Sequence, residues 1–483
     1  MQLVPGFTRA PAVRAMINIG ALLDIPTGLW LKGKYKENIL NGGLGAITGI
    51  VGIGNNFKST IMHYMFLSAL SRIIEQYKTS ISTYDTEINV HEDRLQSLSL
   101  RFKEFCGRDL FQDMLWVVTD ATVYDANSWF EVFKEFLKEK VKNEKSLTVT
   151  SPFVDRDGNL MPMMVPTFGE VDSLTEFLSK SEKQMLEDHE LGESGANTFH
   201  MRAGLIKTRF LMELPSLVGQ AYHYIGITGQ LGKDIPIGQS GPMPAQPVKK
   251  LQFLKGGDKI KGVTDKFTFA TNNCWHAYNA APLINQSTKA AEYPIQDADP
   301  VSGDTDLMLV ALRQLRSKSG PSGYVIEMIV SQSEGVLPEL TEFHFIKDHG
   351  RFGLAGNLQH YALDLYPDVK LQRTTVRSKI DADPKLRRAL NITAEMLQMK
   401  FFQPSVSELL CTPSELYDGL KAKGYDWDLL LQTRGWWTIN NDKHPVPYLS
   451  TKDLLEMNKG IYHPYWLEED KKTIKKEFRP GKN

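Results

Sequence analysis

The sequence predicts an α/β protein built on a largely parallel sheet with helices on both faces, followed by a mainly helical C-terminal module. Three observations carry this expectation. Short apolar runs of strand character alternate with segments of helical spacing over the first two-thirds of the chain, the order that parallel strands with crossover helices require. A glycine-rich turn joins the first such strand to the first such helix. Beyond about Leu354 the pattern becomes helical and charged.

The elements follow in order. Residues 1–45, an N-terminal segment suited to subunit contact, lead through Gly42-Gly43 into Ala46–Val51, an apolar run that reads as a buried strand. Ile61–Ile74 has helical spacing, and Ser80–Tyr84 reads as a second strand running into Asp85 and Glu87. Leu115–Thr119 is a third strand, and Asn127–Lys142 an amphipathic helix whose lysine-rich end reads as a solvated face. Asp155-Arg156-Asp157-Gly158-Asn159 has the chemistry of a tight turn between two short strands. Met163–Val171 approaches Asp172, although Pro166 and Gly169 interrupt it. A helix near Arg202–Val218 comes next, then strands over Tyr222–Thr228, Lys266–Thr271, Leu307–Leu315 and Gly323–Val330. The core is thus expected over 46–354 and the C-terminal module over 355–483. The role of that module is not legible: Trp427, Trp436, Trp437, Tyr448 and Tyr465 could be core, base-stacking or partner-binding residues, and aromatics at this density are more often core.

Composition excludes several classes. With 42% hydrophobic and 23% charged residues in 483, the chain is an ordinary globular protein long enough for two or three domains. Its 56 Lys and Arg balance 57 Asp and Glu, so a nucleic-acid contact must come from a local basic patch. Cys106, Cys274 and Cys411 are too scattered for a disulfide framework or a CxxC zinc site, and fit a reducing compartment. There is no long apolar run, so neither a secretory signal nor a membrane span is expected and the location reads as cytoplasmic.

Gly52-Ile53-Gly54-Asn55-Asn56-Phe57-Lys58-Ser59-Thr60 lies between a strand and a helix, the context of a phosphate-binding loop. Backbone N–H groups at the helix start would face phosphate oxygens, and the helix dipole favours negative charge there. Lys58 would reach the β- and γ-phosphates of ATP, and the Ser59 hydroxyl would help hold Mg²⁺. Phe57 departs from the general motif, which has glycine at that position.

The next segments resemble the RecA superfamily of recombinases. Asp85-Thr86-Glu87 at a strand end, with His91-Glu92-Asp93-Arg94-Leu95 after it, is similar to the acidic segment of that family. The resemblance gives Glu87 the role of polarising the attacking water, and Arg94 that of stacking on adenine. The Phe-Lys-Ser ending of the loop resembles the UvsX-type phage recombinases, which makes a bacterial cytoplasm and a phage-encoded chain the expected setting. Val171-Asp172-Ser173-Leu174 is similar to the family's second nucleotide motif, with Asp172 in the Mg²⁺ shell. Gln230, after Tyr224–Gly229, resembles the glutamine that senses the γ-phosphate, although Gly229 stands where many relatives have asparagine. Arg316 and Lys318, in Leu315–Gly323, resemble two cations that reach a neighbouring subunit's γ-phosphate.

Two long polar stretches, 179–197 and 231–255, lack a clear period, and by resemblance they are the loops that hold single-stranded DNA. The second carries Lys233, Lys249, Lys250 and Lys255, and closes with Gly256-Gly257-Asp258 in the manner of RecA. The first is rich in acids, offset by Lys180, Lys183 and the downstream Arg202, Lys207 and Arg209.

Together the motifs imply an ATP- and Mg²⁺-dependent DNA strand-exchange recombinase with a RecA-like core. Its partners would be single- and double-stranded DNA, further copies of itself in a helical filament, and a recombination mediator or single-strand-binding protein. Two other readings stay open. The turn at Arg316–Gly323 also resembles that of DnaB-type hexameric helicases, although only about 50 residues precede the loop here, where those helicases carry a helical domain. Phe57 and the interrupted strand before Asp172 would suit a DNA-binding scaffold with weak or no ATPase activity.

Overall fold

The computed structural model describes residues 13–180, 184, 196–233, 253–254, 258–261, 266–295, 305–357 and 360–478, with backbone alone at 196–203 and 233. Its centre is one mixed sheet. In chain order its strands and the helices around them are β1 (Ile47–Gly52), α1 (Lys58–Ser71), β2 (Ile81–Asp85), α2 (Glu92–Ser99), β3 (Trp116–Asp120), α3 (Ala126–Lys142), β4 (Thr167–Asp172), α4 (Ala196–Ala221), β5 (His223–Lys233), β6 (Asp258–Ile260), β7 (Asn273–Pro282), β8 (Leu307–Ser317), β9 (Val325–Ser331), β10 (Gly335–Val336) and α5 (Pro338–Asp348). The strands lie in the order β10-β9-β8-β7-β1-β5-β4-β2-β3, with β6 added to the end of β5. From β7 through β3 every neighbour is parallel, and the other pairs are antiparallel.

Burial on both faces explains why the parallel strands read as continuous apolar runs. All six residues of β1 are buried. Ile50 joins a cluster with Phe66 of α1, whereas Ile47 and Val51 join Trp129 of α3 and Phe210 of α4. Helix α1 is buried on every side from Ile61 to Ser71, so it has no polar stripe for solvent. It lies so close to β5 that a Cβ on Gly226 would sit 2.3 Å from Met62 Sδ.

Several expectations shift. Pro166 and Gly169 do not break the strand before Asp172, because β4 pairs on both sides and Pro166 precedes its first residue. Lys266–Thr271 is not a strand: Lys266–Ala270 is a short helix. The alternation of Phe, Thr and Phe has strand propensity, but Phe267, Thr268 and Ala270 are buried while Phe269 is exposed, a helical pattern that seats Phe267 against Gly49. The strand comes next, at β7. The lysine-rich end of α3 is not all solvated, since Lys140 is buried.

The chain after residue 354 begins with a three-stranded antiparallel sheet, Leu354–Gly356, Tyr361–Leu363 and Tyr366–Leu371, before helices α6 (Pro384–Phe402), α7 (Pro413–Ala422) and α8 (Thr451–Asn458). Their starts are well signalled: Asp383 caps α6, and Thr412/Glu415 and Ser450/Asp453 form capping boxes on α7 and α8. This region is locked to the N-terminal segment. The buried Asp453 carboxylate accepts from Asn38 N at 2.8 Å and Nδ2 at 2.6 Å, and the Trp437 indole donates to Met16 O at 3.1 Å. One hydrophobic cluster runs from Ile17 through Phe66 and Leu390 to Tyr448. Trp427, Trp437 and Tyr448 are core residues. Tyr465 stacks on Tyr35 at 4.2 Å, and Trp436 lies between the guanidinium groups of Arg72 and Arg434.

Candidate functional site

Four parallel strands end together. Gly52 of β1 lies in register with Gln230 of β5, Val171 of β4 with Ile227 of β5, and Asp172 of β4 with Asp85 of β2. The carboxyl edge of an open α/β sheet is where such folds place ligands, and here it gathers the loop Ile53–Phe57 and the side chains of Lys58, Glu87, Asp172 and Gln230.

Gly52 is buried under Ala277 O, Ile53 to Asn55 are exposed, and Gly54 has no neighbour within 4 Å of an added Cβ. The Asn56 amide fixes the loop by donating to Ala277 O at 2.7 Å. Phe57 has φ 57° and ψ 25°, a left-handed conformation that favours glycine. Its ring packs against the main hydrophobic cluster, which offsets a backbone cost of roughly 1–2 kcal/mol. Phenylalanine therefore keeps the turn that glycine would make. The turn at Gly54–Asn55 engages the Asn56 N–H, and the ladder beside Ala277 engages that of Ile53; among the described residues, no acceptor pairs with the backbone N–H groups of Gly54, Asn55 and Phe57 to Thr60. Lys58 Nζ donates to Ile53 O at 2.9 Å, bridging the loop. Burial holds its ammonium below the usual lysine range, while Asp172 and Glu87 pull it back up.

Opposite the loop stands an acidic cluster. Asp85, only 2% exposed, accepts four backbone N–H groups: Glu87 and Ile88 at 2.9 Å, Asn89 and Val90 at 2.7 Å. It knots the segment after β2 and leaves Glu87 as the carboxylate facing outward. Glu87 Oε1 accepts from Ser173 Oγ at 2.8 Å and from Gln230 Nε2 at 3.0 Å. Gln230 is steadied in turn by its backbone N–H, which donates to Thr175 Oγ1 at 2.9 Å. The Thr228 hydroxyl donates to Asp172 Oδ1, and the backbone N–H of Thr86 to Asp172 O at 2.8 Å. The Asp172–Ser173 peptide is cis.

Hard oxygen donors suit Mg²⁺, which keeps several waters and uses one or two carboxylates beside phosphate oxygens. The Ser59 hydroxyl and the Asp172 carboxylate are such donors, and no group of three His, Cys, Asp or Glu that could hold a metal occurs among the described residues.

Other sequence-derived residues lie elsewhere. Arg94 donates to Ser333 O at 2.6 Å, in the turn between β9 and β10. Arg316 pairs with Cys274 and Lys318 N donates to Asn272 O, level with the start of β1. They are at the amino edge of the sheet, about 13 Å along the strand from Gly52 by the rise of four residues, and the chain does not bring them to its own Ile53–Phe57 loop. Lys233 ends β5, beside Asp258 of β6. Lys249, Lys250 and Lys255 lie outside the described residues, as do most of 179–197 and 234–257. Arg202 falls on α4, where the backbone alone is described.

Sequence reasoning missed the hydroxyls that orient the acids, Ser173, Thr175 and Thr228, and a buried network beneath them. Glu170, two residues before Asp172 and so on the same face of β4, accepts from Thr83 Oγ1 at 3.0 Å and pairs with His63 Nδ1 of α1 at 2.9 Å. Burial alone would lower the His63 pKa, but the Glu170 charge and hydrogen bond outweigh it and the imidazole is raised. A His and a Glu inside apolar stretches three and two residues from the named motifs were the available signal.

No family model matches the chain, and no curated protein matches it. No helix among the described residues is long and apolar enough to cross a membrane.

Proposed function

We propose that the chain is a RecA-type, ATP-dependent DNA strand-exchange recombinase. The observation that carries this reading is the set of backbone N–H groups of Gly54, Asn55 and Phe57 to Thr60, without an acceptor among the described residues, at the carboxyl edge of the sheet, with Lys58 beside Asp172 and Glu87. Open donors, a helix start and a lysine make a seat for a polyphosphate. An adjacent carboxylate and amide supply what hydrolysis needs.

In this mechanism Lys58 leaves Ile53 O for the β- and γ-phosphates. Mg²⁺, held by Ser59 and through water by Asp172, would neutralise phosphate charge. Glu87 orients the attacking water. Its oxygen is first held by Ser173 and Gln230, so Gln230 can leave Glu87 only when it gains another acceptor, such as a γ-phosphate oxygen. Gln230 directly precedes the stretch 231–255, whose first three residues are not loop but the end of β5, and this continuity links the phosphate to the proposed single-stranded DNA loop. Arg316 and Lys318 would serve a neighbouring copy, since both lie at the far edge of the sheet. Arg94 would stand over the base.

The test is ATP hydrolysis with and without single-stranded DNA, for the native chain and Glu87→Gln. DNA-stimulated hydrolysis, reduced on the order of a hundredfold or more in the variant, is expected. Absence of hydrolysis in the native chain under both conditions would refute the reading in favour of a DNA-binding scaffold. A hexameric helicase uses the same site chemistry, and the turn after Arg316 favours it as the second reading. Open filaments rather than closed rings in electron micrographs on single-stranded DNA decide between them.

A further inference from the structure

A cavity of about 520 Å³ opens at the amino edge of the sheet, with Arg14, Asn41, Gly219, Asn272, Lys318 and Ser319 on its wall. Its charge is one-sided. Arg14 Nη1 donates to Gly219 O at 3.1 Å near the end of α4, and the Arg316 guanidinium lies 4.8 Å from the Phe269 ring centroid. Neither arginine nor Lys318 has a carboxylate partner among the described residues. Burial and the nearby Arg316 hold the Lys318 ammonium below the usual lysine range, a sign of cations crowded without an acid.

The opposite edge has the reverse sign. Asp85, Glu87 and Asp172 stand there, and Glu92 and Asp93 are exposed on the first turn of α2. A molecule that is cationic at one end of its sheet and anionic at the other attracts its own copies head to tail, which gives a heterologous contact that closes into a ring or runs on as a helix. Residues 1–12 do not suit the cavity by charge, since they contain Arg9 but no acid.

We propose that this cavity receives the nucleotide-bearing edge of a second copy of the chain, and that Arg14 acts across the boundary as a third phosphate-binding cation beside Arg316 and Lys318. This rests on the ATPase reading above. It assigns a role to the N-terminal segment: Asn41 holds the extended backbone that carries Arg14, accepting from Met16 N at 2.7 Å and donating to Arg14 O at 3.1 Å.

The experiment compares full-length Arg14→Ala, Lys58→Ala and their equimolar mixture for ATP hydrolysis on single-stranded DNA. Arg14→Ala should lose on the order of tenfold or more in rate, as for cations supplied in trans, with its melting temperature close to native. In the mixture, an interface joining the intact loop of one variant to the intact Arg14 of the other works again. Random assembly makes about one interface in four of this kind, so the mixture should exceed either variant alone. A native rate for Arg14→Ala would overturn the inference. So would a mixture no better than the mean of its parts, the result expected if Arg14 only caps α4. Deletion of residues 1–12 that lowers the melting temperature without lowering the rate would assign the cavity to the chain's own terminus, and would also overturn it. If Lys58→Ala itself hydrolyses at the native rate, the ATPase reading fails instead.

Discussion

Replacing Asp85 with asparagine should separate nucleotide binding from hydrolysis. The Asp85 carboxylate is buried and accepts four backbone N–H groups from Glu87 to Val90. Asparagine keeps one carbonyl oxygen, able to accept two of them, and turns an NH₂ group toward the other two. Two charge-assisted hydrogen bonds are lost, each contributing roughly 1.5–3 kcal/mol, and two part-buried donors are left opposite another donor. A loss of about 3–6 kcal/mol in unfolding free energy follows if the loop stays in place. The loop can instead loosen, which limits the loss in stability but frees Glu87 from its position. Either way ATP binding should persist, because the Asp85 carboxylate hydrogen-bonds to Glu87–Val90 and, among the described residues, to no group of Ile53–Thr60. Urea unfolding reads the stability, a fluorescent ATP analogue the affinity, and steady-state hydrolysis the rate. A variant with native stability and native rate would show that the four hydrogen bonds do not hold Glu87.

Other outcomes follow from buried charges. Glu170→Gln removes the partner of His63, a pair of the kind whose breakage costs about 3–5 kcal/mol. The folded imidazole pKa is raised, so the pair's contribution is present in full below the unfolded value near 6.5 and fades as pH rises through the folded value. Urea unfolding should show a larger deficit for Glu170→Gln at pH 6 than at pH 8.5; an equal deficit would mean that His63 is neutral throughout. Lys140 has the opposite sign. Burial pushes its ammonium pKa down to about 7, and Nζ donates to Thr167 Oγ1 at 2.9 Å with no carboxylate paired to it among the described residues. Between pH 7 and about 10.4 the unfolded chain holds the proton that the folded one has released, so folding gains stability as pH rises. Lys140→Met should thus compare most favourably with the native chain near pH 6, with the difference moving toward the native chain by a few kcal/mol at pH 9.5. A difference that does not vary with pH would place a permanent charge, or none, at that site.

What the sequence made legible was local. A strand, a glycine-bearing turn and a helix are contiguous, so Gly52–Thr60 could be read from order alone, and Phe57 kept the turn because its ring had a cluster to pack against. The run ending in Asp85 was legible as a strand, but the carboxylate's role was not. Asp85 and Glu87 differ only in which one faces four amides, and that is settled by how the chain turns after β2. Lys140 was misjudged for a reason visible beforehand: Ala126, Phe130, Phe133, Leu137 and Lys140 follow a helical stripe, which assigns the lysine stem to the buried side whatever its charge. Long-range contacts left no such trace. Nothing near Asn38 announces Asp453, 415 residues away in the chain, and β7 begins with Asn273 and contains His276 and Asn279, polar residues that hide a strand lying next to β1.

That last strand matters most for the site. Because β7 is parallel to β1 and β8 returns antiparallel to β7, a hairpin carries Arg316 and Lys318 away from the Ile53–Phe57 loop rather than toward it. A sequence pattern can bring two motifs onto neighbouring strands, but only the direction of the strands decides whether they meet within one chain. Here they do not meet. Any role for these cations in phosphate chemistry therefore requires a second molecule, and hydrolysis per chain should rise with protein concentration until assembly is complete. A rate per chain independent of concentration from nanomolar to micromolar, with the protein monomeric by light scattering, would exclude the cations from the reaction.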